Sequence, residues 1–303
     1  MDRFAAAQAF VAVADARSFS EAARRLRVAK SVVSRQVAAL EAALGVTLLN
    51  RTTRSLSLTE AGRGYYERIE RVLADFEDAD RAVSDTRAAP CGKLKVSAPL
   101  SFGFLHLAPA LSDFLLRHPG VSMDVAMNDR FVDLVSEGFD LAVRVGTLAD
   151  SSLIARRLAP ARRVVCASPA YLAARGAPQT PDDLQRHECL FNGNLATGRE
   201  WRFVGAKGAP WPVAVEGRLN LDNGDALRVA ALHGLGLAIL PTFIVGADLQ
   251  SGALATVLAD YLPQDLSINA VYPQVRHLSP TVRAFVDFLA ARFGPDPYWD
   301  LVG

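Results

Sequence analysis

The spacing of apolar residues changes period near residue 90, and that change limits the fold more than any other feature. As far as Asp85, apolar side chains recur every three or four residues; from Lys93, short β-branched runs alternate with helical stretches. A helical head therefore precedes an α/β body, with Ala88-Ala89-Pro90-Cys91-Gly92 as the hinge between them. The longest helical run, from Thr59 to about Asp85, contains no proline. In it Tyr65, Ile69, Val72, Phe76, Ala79 and Val83 follow one another at spacings of 4, 3, 4, 3 and 4, a seam of heptad period. A lone helix cannot bury such a seam against itself. Those six residues are the expected dimerisation contact, so the chain is expected to form at least a dimer.

Ahead of that helix the pattern is of three shorter ones. Residues 4–14 are alanine-rich, with Phe10 and Val13 on one face. Ser20 stands as an N-cap before Glu21 to Leu26, and Lys30 to Leu44 carries Val33, Val37, Leu40 and Leu44 at helical spacing, with Gly45 to end it. Residues 46–58 alternate in strand fashion around a polar tip, a β-hairpin. Charge is uneven in step with this division. Residues 1–58 hold 9 basic and 4 acidic side chains, whereas residues 89–303 hold 19 and 20. A basic head on a near-neutral body suits a polyanion partner.

Three helices and a hairpin, with cations on the third helix and the hairpin tip, make a winged helix-turn-helix. Its third helix enters the major groove of double-stranded DNA. The expected DNA-binding residues are Ser20, Lys30, Ser31, Ser34 and Arg35, with Arg51, Thr52 and Arg54 reaching phosphates from the hairpin.

In the body, strands are expected at 94–97, 121–127, 140–145, 163–167, 213–221, 236–240 and 266–271. Helices are expected at 105–118, 131–137, 169–175, 225–233 and 279–292. Such alternation implies a mostly parallel sheet covered on both faces, and about 210 residues suffice for two α/β lobes. Ligands of open α/β sheets sit beyond the carboxyl ends of the strands. That rule nominates Pro99, Leu100, Ser101 and Phe102 after the first strand, Asn128 and Asp129 after the second, and Arg144 and Gly146 at the third. In the second lobe it nominates Ser168, Asn192, Asn223 and Pro241.

Ser18 to Leu26, Ser34-Arg35-Gln36-Val37, Leu44-Gly45-Val46, Arg51-Thr52-Thr53-Arg54 and Leu58-Thr59-Glu60-Ala61-Gly62 resemble the LysR-type transcriptional regulators. The block from Asn128 to Gly146 is similar to the virulence and catabolic regulators of proteobacteria within that family. The resemblance implies an α/β fold with an N-terminal α-helical winged helix-turn-helix (1–58), a long linker helix (59–88) and a two-lobed, periplasmic-binding-protein-like effector domain (91–303). Lobe I would comprise 91–163 and 269–303, and lobe II 164–268. It implies a sequence-specific DNA-binding regulator controlled by a small-molecule effector in the cleft, with RNA polymerase as a further partner. The effector is expected to be anionic, its carboxylate held by Ser101 and the N–H groups near Phe102. Arg144 either adds charge there or pairs with Asp129 or Asp140. The sequence departs from the family pattern at Ala29, where Ser or Thr is frequent, at Lys30, where Gln is frequent, and at Leu49, where Phe is usual.

Other functions fit less well. A transporter's solute-binding protein has no use for the head and needs an export signal, which Met1-Asp2-Arg3-Phe4 does not begin. An enzyme on a two-lobed scaffold, such as a deaminase of hydroxymethylbilane type, needs a catalytic set. No G-x-S-x-G, H-E-x-x-H or P-loop is present, and Gly234-Leu235-Gly236 is a helix-to-strand turn. Cys91, Cys166 and Cys189 lack metal or disulfide spacing, and His187-Glu188-Cys189 is read as a loop. The expectation is a cytoplasmic protein with no cofactor, no metal and no membrane contact, whose Cys166 is either a small buried hydrophobe or a redox switch.

Overall fold

The computed structural model describes residues 2–51, 56–84, 89–130, 132–147, 153–193, 199–205, 208–274 and 278–300. The chain divides into two compact units, 1–88 and 89–303.

In the first unit, α1 (Arg3–Ala16) starts at Asp2, whose carboxylate accepts from the Phe4 and Ala5 N–H groups. Helix α2 spans Phe19–Leu26 and is capped by Ser18, not Ser20; the Glu21 N–H donates to Ser18 Oγ at 3.3 Å. Extended backbone at Ser18 (φ −158°, ψ 124°) starts the helix two residues earlier than the sequence pattern places it. Helix α3 (Lys30–Leu44) has no side-chain cap at Ala29 and ends at Gly45, φ +70°. Strands β1 (Leu49–Arg51) and β2 (Leu56–Leu58) pair antiparallel. The Glu41 carboxylate fixes the strand entry by accepting from the Leu48 and Leu49 N–H groups at 2.9 and 3.1 Å.

Helix α4 (Glu60–Ser84) is capped by Thr59, whose Oγ1 accepts from the Gly62 N–H at 2.9 Å and donates to the Thr47 carbonyl at 2.8 Å. The core joins Phe10, Val13, Val33, Val37, Leu40, Leu48 and Leu49, all buried. Tyr65 and Ile69 pack against this core; Tyr65 lies 5.6 Å from Phe10, ring centre to ring centre. The first part of the expected dimerisation seam is thus partly used within the chain's own head. Val72 and Phe76 are 54% and 50% exposed, with the Phe4 ring tilted against that of Phe76 at 4.5 Å. The side chains of Ala79 and Val83 lie outside the described residues.

The second unit has two lobes. The lobe I sheet runs β4-β3-β5-β14-β6, from β3 (Gly92–Ala98), β4 (Val121–Met127), β5 (Leu141–Gly146), β6 (Leu153–Pro160) and β14 (Ser267–Pro273). The lobe II sheet runs β11-β8-β12-β7-β13, from β7 (Arg163–Ala167), β8 (Cys189–Asn192), β11 (Leu219–Leu221), β12 (Leu237–Pro241) and β13 (Ala255–Val257). A separate antiparallel hairpin joins β9 (Glu200–Val204) to β10 (Pro210–Ala214).

Each sheet is mostly parallel by direction, with one reversed strand, β14 in lobe I and β7 in lobe II, that pairs antiparallel with both its neighbours where the chain crosses between lobes. Strands β6, β8, β9 and β13 escape the sequence pattern, and the expected strand 213–221 is the end of β10, an irregular link and β11. The crossings also move. Ser267 pairs with Gly146 in lobe I, while Arg163 pairs with Pro241 in lobe II. The lobe boundaries therefore fall near 161–162 and 265–266 rather than at 163 and 268. The Ala161 N–H donates to the Leu266 carbonyl at 3.0 Å, tying the two crossings together.

Helix α5 (residues 100–117) begins directly after β3 and contains a wide π-type turn at Gly103–Leu107. Helices α6 (Leu134–Glu137), α7 (Pro169–Arg175), α8 (Gly224–Leu232), α9 (Thr242–Gln250) and α10 (Pro280–Phe293) complete the unit. The final turn, Tyr298–Asp300, inserts Trp299 beside Phe102, His106 and Phe293, and the Tyr298 hydroxyl lies 2.6 Å from His106 Nδ1. His106 Nε2 sits 2.7 Å from the Phe243 carbonyl of lobe II; because a carbonyl only accepts, Nε2 carries the proton.

Candidate nucleic-acid interface and ligand cleft

At 100° per residue, Lys30, Ser31, Ser34 and Arg35 fall on one face of the first turns of α3, separate from the arc of buried Val33, Val37 and Leu40 that adjoins it on the Lys30 side. Lys30, Ser31 and Arg35 are exposed and Ser34 is half-buried. Ser20 is exposed in the first turn of α2. Arg51 closes β1 at the base of the hairpin tip. Its side chain, Thr52 and Arg54 lie outside the described residues. The head thus presents polar and cationic groups on an α3 face that its own core does not use.

In the second unit a cavity of about 380 Å³ lies between the lobes. Of the residues expected at strand ends, Pro99, Ser101, Phe102, Asn128, Asp129, Arg144, Asn192 and Pro241 line it. Four do not. The Leu100 side chain is exposed, and its N–H donates to Asp129 Oδ1 at 3.0 Å. Gly146 pairs with Ser267 at the end of β5. Asn223 caps α8 by accepting from the Ala226 N–H. Ser168 is on the wrong side of its sheet. Strand β7 runs antiparallel to β12, so its first residue, Arg163, meets the cleft and its last leads away to cap α7.

This reversal is also why Arg163 escapes a rule based on carboxyl ends. Arg130, Val145, Asp222, Gly224, Ile239, Leu240, Phe243, Ile244 and Leu266 complete the lining. Phe102 and Phe243, one from each lobe, meet edge to face at 5.5 Å.

The Ser101 hydroxyl does not stand ready for a carboxylate. It donates to Asp225 Oδ2 at 2.6 Å, a hydrogen bond from lobe I to lobe II. Arg130 is held by Glu137 through two bonds, at 3.0 and 2.5 Å. Arg144 donates to the Val132 carbonyl at 3.4 Å. Arg163 lies 3.7 Å from Asp265, and its buried Nε has no acceptor among the described residues. Burial pushes the Arg144 and Arg163 guanidinium groups below the ordinary arginine range, opposed by Glu137 and Asp265 respectively; arginine nevertheless stays charged. Among the described residues no cluster of three or more His, Cys, Asp or Glu suits a metal ion, and no helix is long and apolar enough to cross a membrane.

Residues 4–63 match the bacterial regulatory helix-turn-helix of the lysR family, and residues 87–294 match the LysR substrate binding domain. The chain is a LysR-type transcriptional regulator. This regulator is 38% identical over 279 residues to an uncharacterized HTH-type transcriptional regulator of Haemophilus influenzae, covering 92% of this chain and 96% of that protein. The structure of CrgA, a LysR-type transcriptional regulator from Neisseria meningitidis, is 35% identical with a TM-score of 0.61, over 95% of this chain and 97% of that one. The full-length Vibrio cholerae virulence activator AphB is 27% identical with a TM-score of 0.60, over 95% and 98%. Effector-controlled binding to DNA by an oligomer is the working mode of LysR-type regulators.

Proposed function

We propose that this regulator reads double-stranded operator DNA in the cytoplasm with the α3 face of Lys30, Ser31, Ser34 and Arg35. Ser20, Arg51, Thr52 and Arg54 contact phosphates. A small anionic effector in the interlobe cleft biases the lobe arrangement, and the bias passes to heads paired through 59–88 in a dimer or tetramer. RNA polymerase is the downstream partner. The observation that carries this reading is the coexistence in one chain of an unburied polar α3 face and a cavity at strand ends between two lobes. A ligand touching both lobes shifts their equilibrium only by its differential affinity for the two arrangements. The domain assignments are head 1–58, linker 59–88 and effector unit from 91 onward.

The test is binding of the full chain to a genomic operator across salt concentrations. Arg35→Ala should cost about 1–3 kcal/mol and relax preference at one base pair. Arg51→Ala should weaken all sequences alike and lower the salt slope by about 1. Wild-type operator binding by both variants would sink the assignment.

A further inference from the structure

Charge in the cleft is sorted by distance from the paired lobe crossings near 161–162 and 265–266, the hinge between the lobes. Arg163 opens β7 at one lobe crossing, and Leu266 precedes β14 at the other. Arg144 lies on β5, the immediate neighbour of β14. The acidic lining residues lie at the other edge: Asp129 follows β4 and Asp222 follows β11, each three strands away from β14 and β7 respectively. At about 4.8 Å per strand the two ends are about 14 Å apart. Asp225, just beyond Asp222, holds the Ser101 hydroxyl. Arg130, the cation on the acidic side, is bound at both nitrogens by Glu137.

Between these ends the walls are apolar: Phe102, Ile239, Leu240, Phe243, Ile244 and Leu266. At the hinge end, Arg163 retains a buried N–H with no acceptor among the described residues and only a long contact to Asp265. An unsatisfied buried donor is costly, and a carboxylate supplies both its acceptor and its countercharge. At the other end a second negative charge would face the carboxylates of exposed Asp129 and Asp222 and half-buried Asp225. Like charges repel there even with water to weaken the effect, whereas a neutral end meets no such opposition.

We infer that the cleft takes a singly charged carboxylate with an apolar body, its carboxylate on Arg163 at the hinge and its neutral end toward Asp129 and Asp222. The inference rests on the reading of the cleft as the effector site, and it moves the anion from Ser101 to Arg163. It also makes the site selective against dicarboxylates of similar length.

The test uses the full chain, thermal unfolding and three probes of one length: octanoate, octanamide and octanedioate. At about 1 mM, octanoate should raise the wild-type melting temperature by about 2 °C or more, while the amide and the diacid leave it unchanged. Arg163→Gln, with unchanged circular dichroism, should lose the octanoate response, and Arg163→Lys should keep part of it. A variant combining Asp129→Asn and Asp222→Asn should gain a response to octanedioate, an arm that stands even if Arg163→Gln fails to fold. Stabilisation of wild type by the amide or diacid equal to that by octanoate overturns the inference, as does silence to all three or an undiminished response of folded Arg163→Gln. A non-carboxylate compound that shifts both melting temperature and operator binding overturns this ligand class and leaves effector control standing. Octanoate that stabilises the protein but leaves operator binding unmoved does the opposite.

Discussion

Ala29 precedes α3 with extended backbone, φ −67° and ψ 146°, and no side-chain acceptor for the first free N–H groups of the helix. That is the geometry an N-cap serine uses, and Ala29 is exposed, so a hydroxyl fits without repacking. Ala29→Ser should stabilise the head by about 1 kcal/mol, read as a higher urea midpoint at unchanged slope. No gain would mean that these N–H groups are already satisfied. The cysteines give a second prediction at this scale. Burial pushes the thiols of Cys166 and Cys189 up to about 12, with the Asp248 and Glu188 carboxylates adding to the shift. Only the thiolate reacts, so both should stay silent to a disulfide reagent at pH 8, while half-buried Cys91 is the one thiol open to attack. The native chain should release at most one equivalent of chromophore, and the unfolded chain three. Rapid release of a second equivalent from native protein would restore a redox role for a strand cysteine.

Among the elements, close approach decides what sequence patterns leave invisible. A Cβ on Gly62 would sit 2.0 Å from the Leu48 carbonyl oxygen, because Thr59 and Glu41 draw the start of the hairpin down onto α4. Backbone cannot yield as a flexible side chain does. Gly62→Ala should therefore cost about 1–3 kcal/mol and lower the melting temperature of the head by several degrees. An unchanged unfolding profile would show that the hairpin is free to lift away. The head was legible in the sequence because its signals are local: Gly45 as terminator, Thr59 as cap, and Val33, Val37 and Leu40 at helical spacing. The body was legible only in part. Strands β6 and β13 and helix α9 follow no clean period, since neighbours already folded supply their partners. The side of the cleft that carries Arg163 depends on β7 running antiparallel to β12, a fact of pairing that no short window contains. Of the cleft residues, those following parallel strands, such as Asn128 and Asn192, were legible; Arg163 and the Ser101–Asp225 bond were not.

At the scale of the whole molecule, the question is how one head becomes two. Helix α4, with 25 residues, is about 37 Å long, far more than its own head covers. Tyr65 and Ile69 are partly buried in that head, so a charge at Ile69 would damage the head itself and test nothing about assembly. Val72 and Phe76, both about half exposed, with Phe4 alongside, are apolar seam residues that the head leaves uncovered, and a second copy is expected to cover them. A two-fold contact there would use the same patch on both chains and present two α3 faces to half-sites about one helical turn of DNA apart. Changing Val72 and Phe76 together to Asp should place four like charges in the seam of a dimer while sparing the head core. Light scattering should then show a lower mass. The residual protein should bind a single half-site with a shallower salt dependence than wild type, since fewer phosphates are neutralised per complex. Wild-type mass for this variant would place the dimer contact elsewhere on the chain. Lower mass with full operator affinity would separate assembly from DNA recognition.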